Sequence, residues 1–137
     1  MNRRQFLITT TAAFTLPALA RAGERVFYTP GLAEAAIDAG KVVFLDFWTG
    51  WCSTCAAQDR VITALRRENP GYDGAITFIT VDWDIYADGA LAKALNIPRR
   101  STLVALNGDD EIGRIVAGTS KRDIKALMDA ALAAATD

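Results

Sequence analysis

The chain has no histidine and only two cysteines among its 137 residues, with two methionines and four prolines. A closed zinc site draws on about four nitrogen and sulfur ligands, so two cysteines without histidine cannot supply one. There is no excess of positive charge either: 15 basic residues stand against 16 acidic ones, a net charge of −1. With no basic cluster, neither nucleic acid nor an anionic membrane has an electrostatic reason to bind. Internal repeats, low-complexity tracts and interdomain linkers are absent too. What remains is enough chain for one domain with a proper core.

The first residues do not read as part of that domain. Arg3-Arg4 is followed by Gln5-Phe6-Leu7 and then by a modestly apolar Thr/Ala/Leu segment to Ala20, and Ala20-Arg21-Ala22 puts small residues at the two positions a signal peptidase reads. Residues 1–22 are expected to be a cleaved export signal of the twin-arginine kind, leaving 23–137 as the domain. The apolar run is shorter than the ~20 residues needed to span a bilayer and contains Pro17, so no lasting membrane insertion is expected after cleavage. Three arginines and no acid leave with this segment, so the rest of the chain carries 12 basic and 16 acidic side chains, net −4. Export to the periplasm would place both cysteines where disulfides persist.

The stretch Val42–Cys55 (VVFLDFWTGWCSTC) organises the rest. Its first seven residues are β-branched, aromatic and nearly all apolar, the pattern of a central strand covered on both faces. After Gly50, residues 55–67 carry Val61, Ile62 and Leu65 at helical spacing. Cys52 therefore falls where a strand ends and a helix begins. Unpaired N–H groups and about half a positive charge at a helix start stabilise a thiolate, so Cys52 is expected to be acidic and nucleophilic. Cys55, one turn further on, can close a disulfide with it. Asp46 within the strand costs several kcal/mol if buried and charged, so a raised pKa is expected.

Around this stretch, residues 25–28 read as a short first strand, and Leu32, Ala35, Ala36 and Ala39 mark a helix stopped by Gly40. Residues 76–82 form another strand, 90–95 a short helix, and 101–106 with 111–117 a hairpin about Asn107-Gly108-Asp109-Asp110. Ser120 and Asp123 fit a capping box for a last helix, whose apolar face runs from Ile124 to Ala135. Strand–helix alternation followed by a hairpin favours an α/β fold, a three-layer sandwich with a central mixed sheet flanked by helices.

Asp46-Phe47-Trp48, then Trp51-Cys52 and Cys55, resembles the active-site segment of the thioredoxin family, and the order of elements extends the likeness from about Glu24 onward. The resemblance implies a thiol:disulfide oxidoreductase with no cofactor beyond a redox-active Cys52–Cys55 disulfide. Cys52 would attack a substrate disulfide and Cys55 would resolve the mixed disulfide, with Asp46 as its base. Two departures stand out. Thioredoxins usually carry a lysine near the buried aspartate, where this chain has Thr80, so Asp46 is expected to ionise reluctantly and resolution by Cys55 to be slower near neutral pH. They also place a cis-proline before the hairpin strand, where this chain has Ser101; Pro98 lies three residues early. A cis bond before serine costs about 2.5–4 kcal/mol, so Arg100–Ser101 is expected to be trans.

Trp51, Arg100, Ser101 and Thr102 are the candidate substrate-binding residues, and Arg99 and Arg100 candidate sources of positive potential. The expected partners are proteins with disulfides or cysteine pairs and a membrane-bound electron donor, the protein acting as a monomer. The reducing direction is favoured, because the Asp-Phe-Trp context resembles the reducing branch and no inserted helical domain is present. The alternatives are a periplasmic disulfide oxidant and a non-catalytic Cu(I)-binding or chaperone module, since soft thiolates suit Cu(I).

Overall fold

The computed structural model describes residues 24–136; the expected export signal lies outside them. Four strands form one sheet in the order β2-β1-β3-β4. β1 (Val42–Trp48) runs parallel to β2 (Thr77–Asp82) and antiparallel to β3 (Thr102–Asn107), which pairs antiparallel with β4 (Asp110–Val116). The hairpin turns over Gly108-Asp109, with Gly108 at φ 57°, a conformation glycine adopts without steric cost.

β1 is covered on both sides, as its continuous apolar pattern requires. Val43, Leu45 and Phe47 pack with Ala33 of α1 (Leu32–Asp38) and with Leu91 and Ala92 of α5 (Ala90–Ala94). Val42 and Phe44 face the opposite way, toward Ile62 and Leu65 of α2 (Ser53–Glu68) and Ile124, Leu127 and Met128 of α6 (Lys121–Thr136). This is the expected three-layer α/β sandwich. The Ser120 hydroxyl accepts from the Asp123 amide at 3.3 Å, closing one half of the expected capping box.

Three elements differ from the sequence reading. The strand expected at 25–28 shrinks to one bridge, Phe27 to Thr80, held by Tyr28 N–H to Thr80 C=O (2.7 Å) and Thr80 N–H to Val26 C=O (2.8 Å). Pro70, instead of only ending a helix, opens a short one, α3 (Gly71–Ala75), which buries Tyr72 and bonds its hydroxyl to Asp129. A further turn, α4 (Trp83–Tyr86), follows β2 because the Asp82 carboxylate accepts from the Asp84 amide at 3.0 Å. Such elements are too short to show a helical period.

Candidate active site

Cys52 is the residue that caps α2. Its backbone is extended (φ −86°, ψ 117°), and its sulfur accepts from the Cys55 amide at 3.2 Å, one of the donors a helix start leaves unpaired. Both cysteines are free. They are not equally accessible: Cys52 keeps 6% of its surface exposed and Cys55 none. A visiting molecule can therefore reach only the first.

The loop before β3 lies under both sulfurs. The Ser101 hydroxyl is 3.2 Å from Cys52 Sγ and 3.1 Å from Cys55 Sγ. The described residues contain no cis peptide bond, so Arg100–Ser101 is trans, as expected; Ser101 instead adopts φ 63°. Its amide donates to the Phe47 carbonyl at 2.7 Å, which a proline could not do. Its own carbonyl accepts from the Ala117 amide and from Gln58 Nε2, each at 2.9 Å. Gln58, fully buried one turn beyond Cys55, also bonds the Gly118 carbonyl at 2.9 Å and so ties α2 to the loop. Its polarity at a core position of α2 was the available signal, and the sequence reading passed over it.

The four expected substrate contacts separate into two pairs. Trp51 is 64% exposed, with its indole N–H on Asp84 at 2.9 Å. The Arg100 guanidinium lies 4.4 Å from the centre of the Trp51 ring and helps lower the Cys52 pKa. These two border the exposed sulfur. Ser101 and Thr102 have no exposed surface, and the Thr102 hydroxyl is taken by the Arg99 carbonyl at 2.7 Å. Neither side chain is presented to a visitor, because the strained turn at Ser101 directs this segment inward to the sulfurs and to Phe47. Arg99 turns its side chain back on the Arg100 carbonyl at 3.0 Å.

The electrostatics pull the two thiols apart. Burial alone would raise the Cys52 pKa, but the neighbouring Cys55 side chain, the Ser101 hydroxyl, the Cys55 amide and the Arg100 guanidinium outweigh it and bring it down to about 6. Burial, followed by the neighbouring Cys52, raises Cys55. Near neutral pH the pair is thus one thiolate and one thiol.

Asp46 sits on the α2-facing side of β1, 7% exposed, with Oδ1 lacking any partner. Desolvation pushes its pKa up to about 7, as expected for a carboxyl in an apolar strand. Thr80 does stand beside Asp46, as its partner across β1 and β2, but a cation reaches the site from elsewhere in the chain. Arg25 reaches across from the N-terminal segment, 2.5 Å from Asp59 of α2 and 3.3 Å from the Thr80 hydroxyl, and opposes the rise at Asp46. Arg25, Asp46, Asp59 and Thr80 line a cavity of about 50 Å³. Arg25 lies 21 positions from Asp46, and nothing in the local pattern links the two.

Among the described residues no group of three or more cysteine and carboxylate side chains is gathered as a metal site, and no helix is long and apolar enough to cross a membrane.

The family model for thioredoxin matches residues 30–130. A thioredoxin from Echinococcus granulosus is 29% identical over 97 residues, 71% of this chain and 84% of that protein. Thioredoxin H2-1 from Oryza sativa subsp. japonica is 30% identical over 94 residues, 69% of this chain and 63% of the relative. Among solved structures, Trxlp from Edwardsiella tarda superposes with a TM-score of 0.62 at 26% identity, covering 76% of this chain and 95% of that one. A mutant thioredoxin from Halobacterium salinarum gives 0.63 at 22% identity, covering 85% and 96%.

Proposed function

Because this chain belongs to the thioredoxin family and is a thiol:disulfide oxidoreductase with a close Cys52–Cys55 pair, we propose that it reduces disulfides of exported proteins in the periplasm. The observation that carries this reading is the asymmetry of the two sulfurs: Cys52 is the acidic one and keeps a sliver of exposed surface, whereas Cys55 keeps none and has a raised pKa. Cys52 attacks the substrate disulfide and releases one substrate thiolate. Cys55, deprotonated with Asp46 as base, then attacks Cys52, releases the second and leaves the Cys52–Cys55 disulfide. Two electrons pass from the dithiol to the substrate, and the sulfurs carry them without a bound cofactor.

The reducing direction is supported by the Asp46-Phe47-Trp48 context, which resembles the reducing branch of the family, and among the described residues no helical domain interrupts the sandwich. Arg3-Arg4 and the small residues at 20 and 22 support export, with cleavage after Ala22. An exported reductase must be recharged, and a membrane-bound dithiol donor would do this. Trp51 and Arg100 would receive an extended substrate segment beside Cys52, and the protein would act as a monomer.

Equilibration of the mature chain with glutathione, alongside insulin reduction, tests the reading. Turnover with a potential near that of thioredoxin, about −270 mV, supports it. A potential near −120 mV, as for a dedicated oxidant, would reverse the direction. Tight Cu(I) binding without turnover would replace catalysis by metal handling.

A further inference from the structure

We propose that the Ser101 hydroxyl is a third catalytic group, a single donor that serves whichever of the two sulfurs is anionic. The proposal rests on disulfide exchange at Cys52 and Cys55. A hydroxyl has one proton and two lone pairs, so between two sulfurs it donates to one and accepts from the other. Ser101 Oγ stands 3.2 Å from Cys52 Sγ and 3.1 Å from Cys55 Sγ, with no exposed surface through which water could replace it. The residue is fixed by its amide on Phe47 and by Ala117 and Gln58 on its carbonyl. Its φ of 63° costs roughly 1–2 kcal/mol for a residue with a Cβ. Glycine would relieve that strain but would leave no hydroxyl between the sulfurs.

In the resting dithiol, Ser101 O–H donates to the Cys52 thiolate and its oxygen accepts from the Cys55 thiol. When Cys52 attacks, the substrate S–S bond breaks, a Cys52–substrate disulfide forms, and one substrate thiolate departs. The Cys52 sulfur is then neutral, and the hydroxyl turns to Cys55. As the Cys55 proton leaves for the carboxylate of Asp46, and from there for a departing substrate thiolate, the hydroxyl donates to the new Cys55 thiolate. Cys55 then attacks Cys52, the mixed disulfide breaks, and the second substrate thiolate is released. The substrate gains two electrons and the Cys52–Cys55 pair loses two. A disulfide sulfur is a poor acceptor, so the hydroxyl favours the reduced pair over the oxidised one. The other polar groups acting on these sulfurs are the Arg100 guanidinium and the Cys55 amide at Cys52, the Thr49 backbone at Cys55, and the buried Asp46 carboxyl, whose charge is felt at Cys52.

Ser101→Gly and Ser101→Ala in the full chain separate this role from a structural one. Glycine accepts the positive φ without strain, so the first variant keeps the loop. The titration of Cys52, followed by thiolate absorbance, is expected to rise by about one unit in both. The equilibrium with glutathione should move about tenfold toward the disulfide, about 30 mV lower in potential. With Cys55→Ala added, the hydroxyl still gives its one proton to the Cys52 thiolate, so losing it should again raise the Cys52 titration. A Cys52 titration and potential unchanged in both single variants would overturn the proposal, whatever the activity. Loss of wild-type turnover with the titration still responding to Ser101 would instead overturn the exchange reaction and leave the hydroxyl contact standing.

Discussion

The two faces of β1 are built from one seven-residue strand and differ in kind. On the face toward α1 and α5, Val43, Leu45 and Phe47 have no exposed surface and belong to one apolar cluster. On the face toward α2, Phe44 continues the core, but Asp46 follows with an unpartnered oxygen beside a cavity that reaches Arg25, Asp59 and Thr80. The dry face supplies stability. The other face, wet in the sense that it holds a polar cavity, gives some of it up for a titratable carboxyl whose charge is felt at Cys52, the cap of α2.

This contrast can be broken most severely on the dry side. Leu45→Ala should cost about 2–5 kcal/mol, because a fully buried side chain leaves a cavity, while the Cys52 titration stays where it was. Denaturant unfolding and alkylation of the same sample would check both halves. On the wet side Asp46→Asn should do the reverse. The folded carboxyl holds its proton up to about 7 against an ordinary value of 3.8, so between those values the folded form carries a proton the unfolded chain has lost, and stability falls as pH rises. Removing the carboxyl should stabilise the protein by about 2–4 kcal/mol at pH 8, with the gain shrinking to nothing below pH 4, and should slow resolution of the mixed disulfide. Unfolding across that pH range reads the slope, and a parallel shift at all pH values would contradict the assignment.

Arg25→Met should have the smallest effect on stability, under about 1 kcal/mol, since its ion pair with Asp59 is 27% and 38% exposed. Its effect belongs to the wet face. With the guanidinium gone and Asp59 left unpaired, the Asp46 titration should move further up and the pH at which resolution accelerates should move with it. An unchanged profile would remove Arg25 from the site.

The dry face and the redox turn could be read from residue order. A continuous apolar run announces β1, and a cysteine at the junction of strand and helix announces a cap, because both depend on neighbours in the chain. The hairpin was legible for the same reason, through Gly108. The wet face was not. Arg25 meets Asp59 and Thr80 across 34 and 55 residues, and such pairings leave no period in the sequence. The trans bond before Ser101 followed from the cost of a cis bond there, but nothing in the spacing foretold that Ser101 would take a left-handed φ and turn its hydroxyl to both sulfurs. Its expected role on a substrate-facing edge gave way because its amide and carbonyl are spent inside the fold. Gln58 was hidden by its setting, a buried polar side chain on a helix whose apolar stripe was read without it.

The most direct test is the pH dependence of alkylation of the reduced protein, with the labelled cysteine identified by peptide mapping. Label confined to Cys52 at low reagent, with a rate rising through about pH 6 to a plateau, is the predicted result. Equal labelling of Cys52 and Cys55, or a midpoint at the ordinary thiol value near 8.5, would contradict the account.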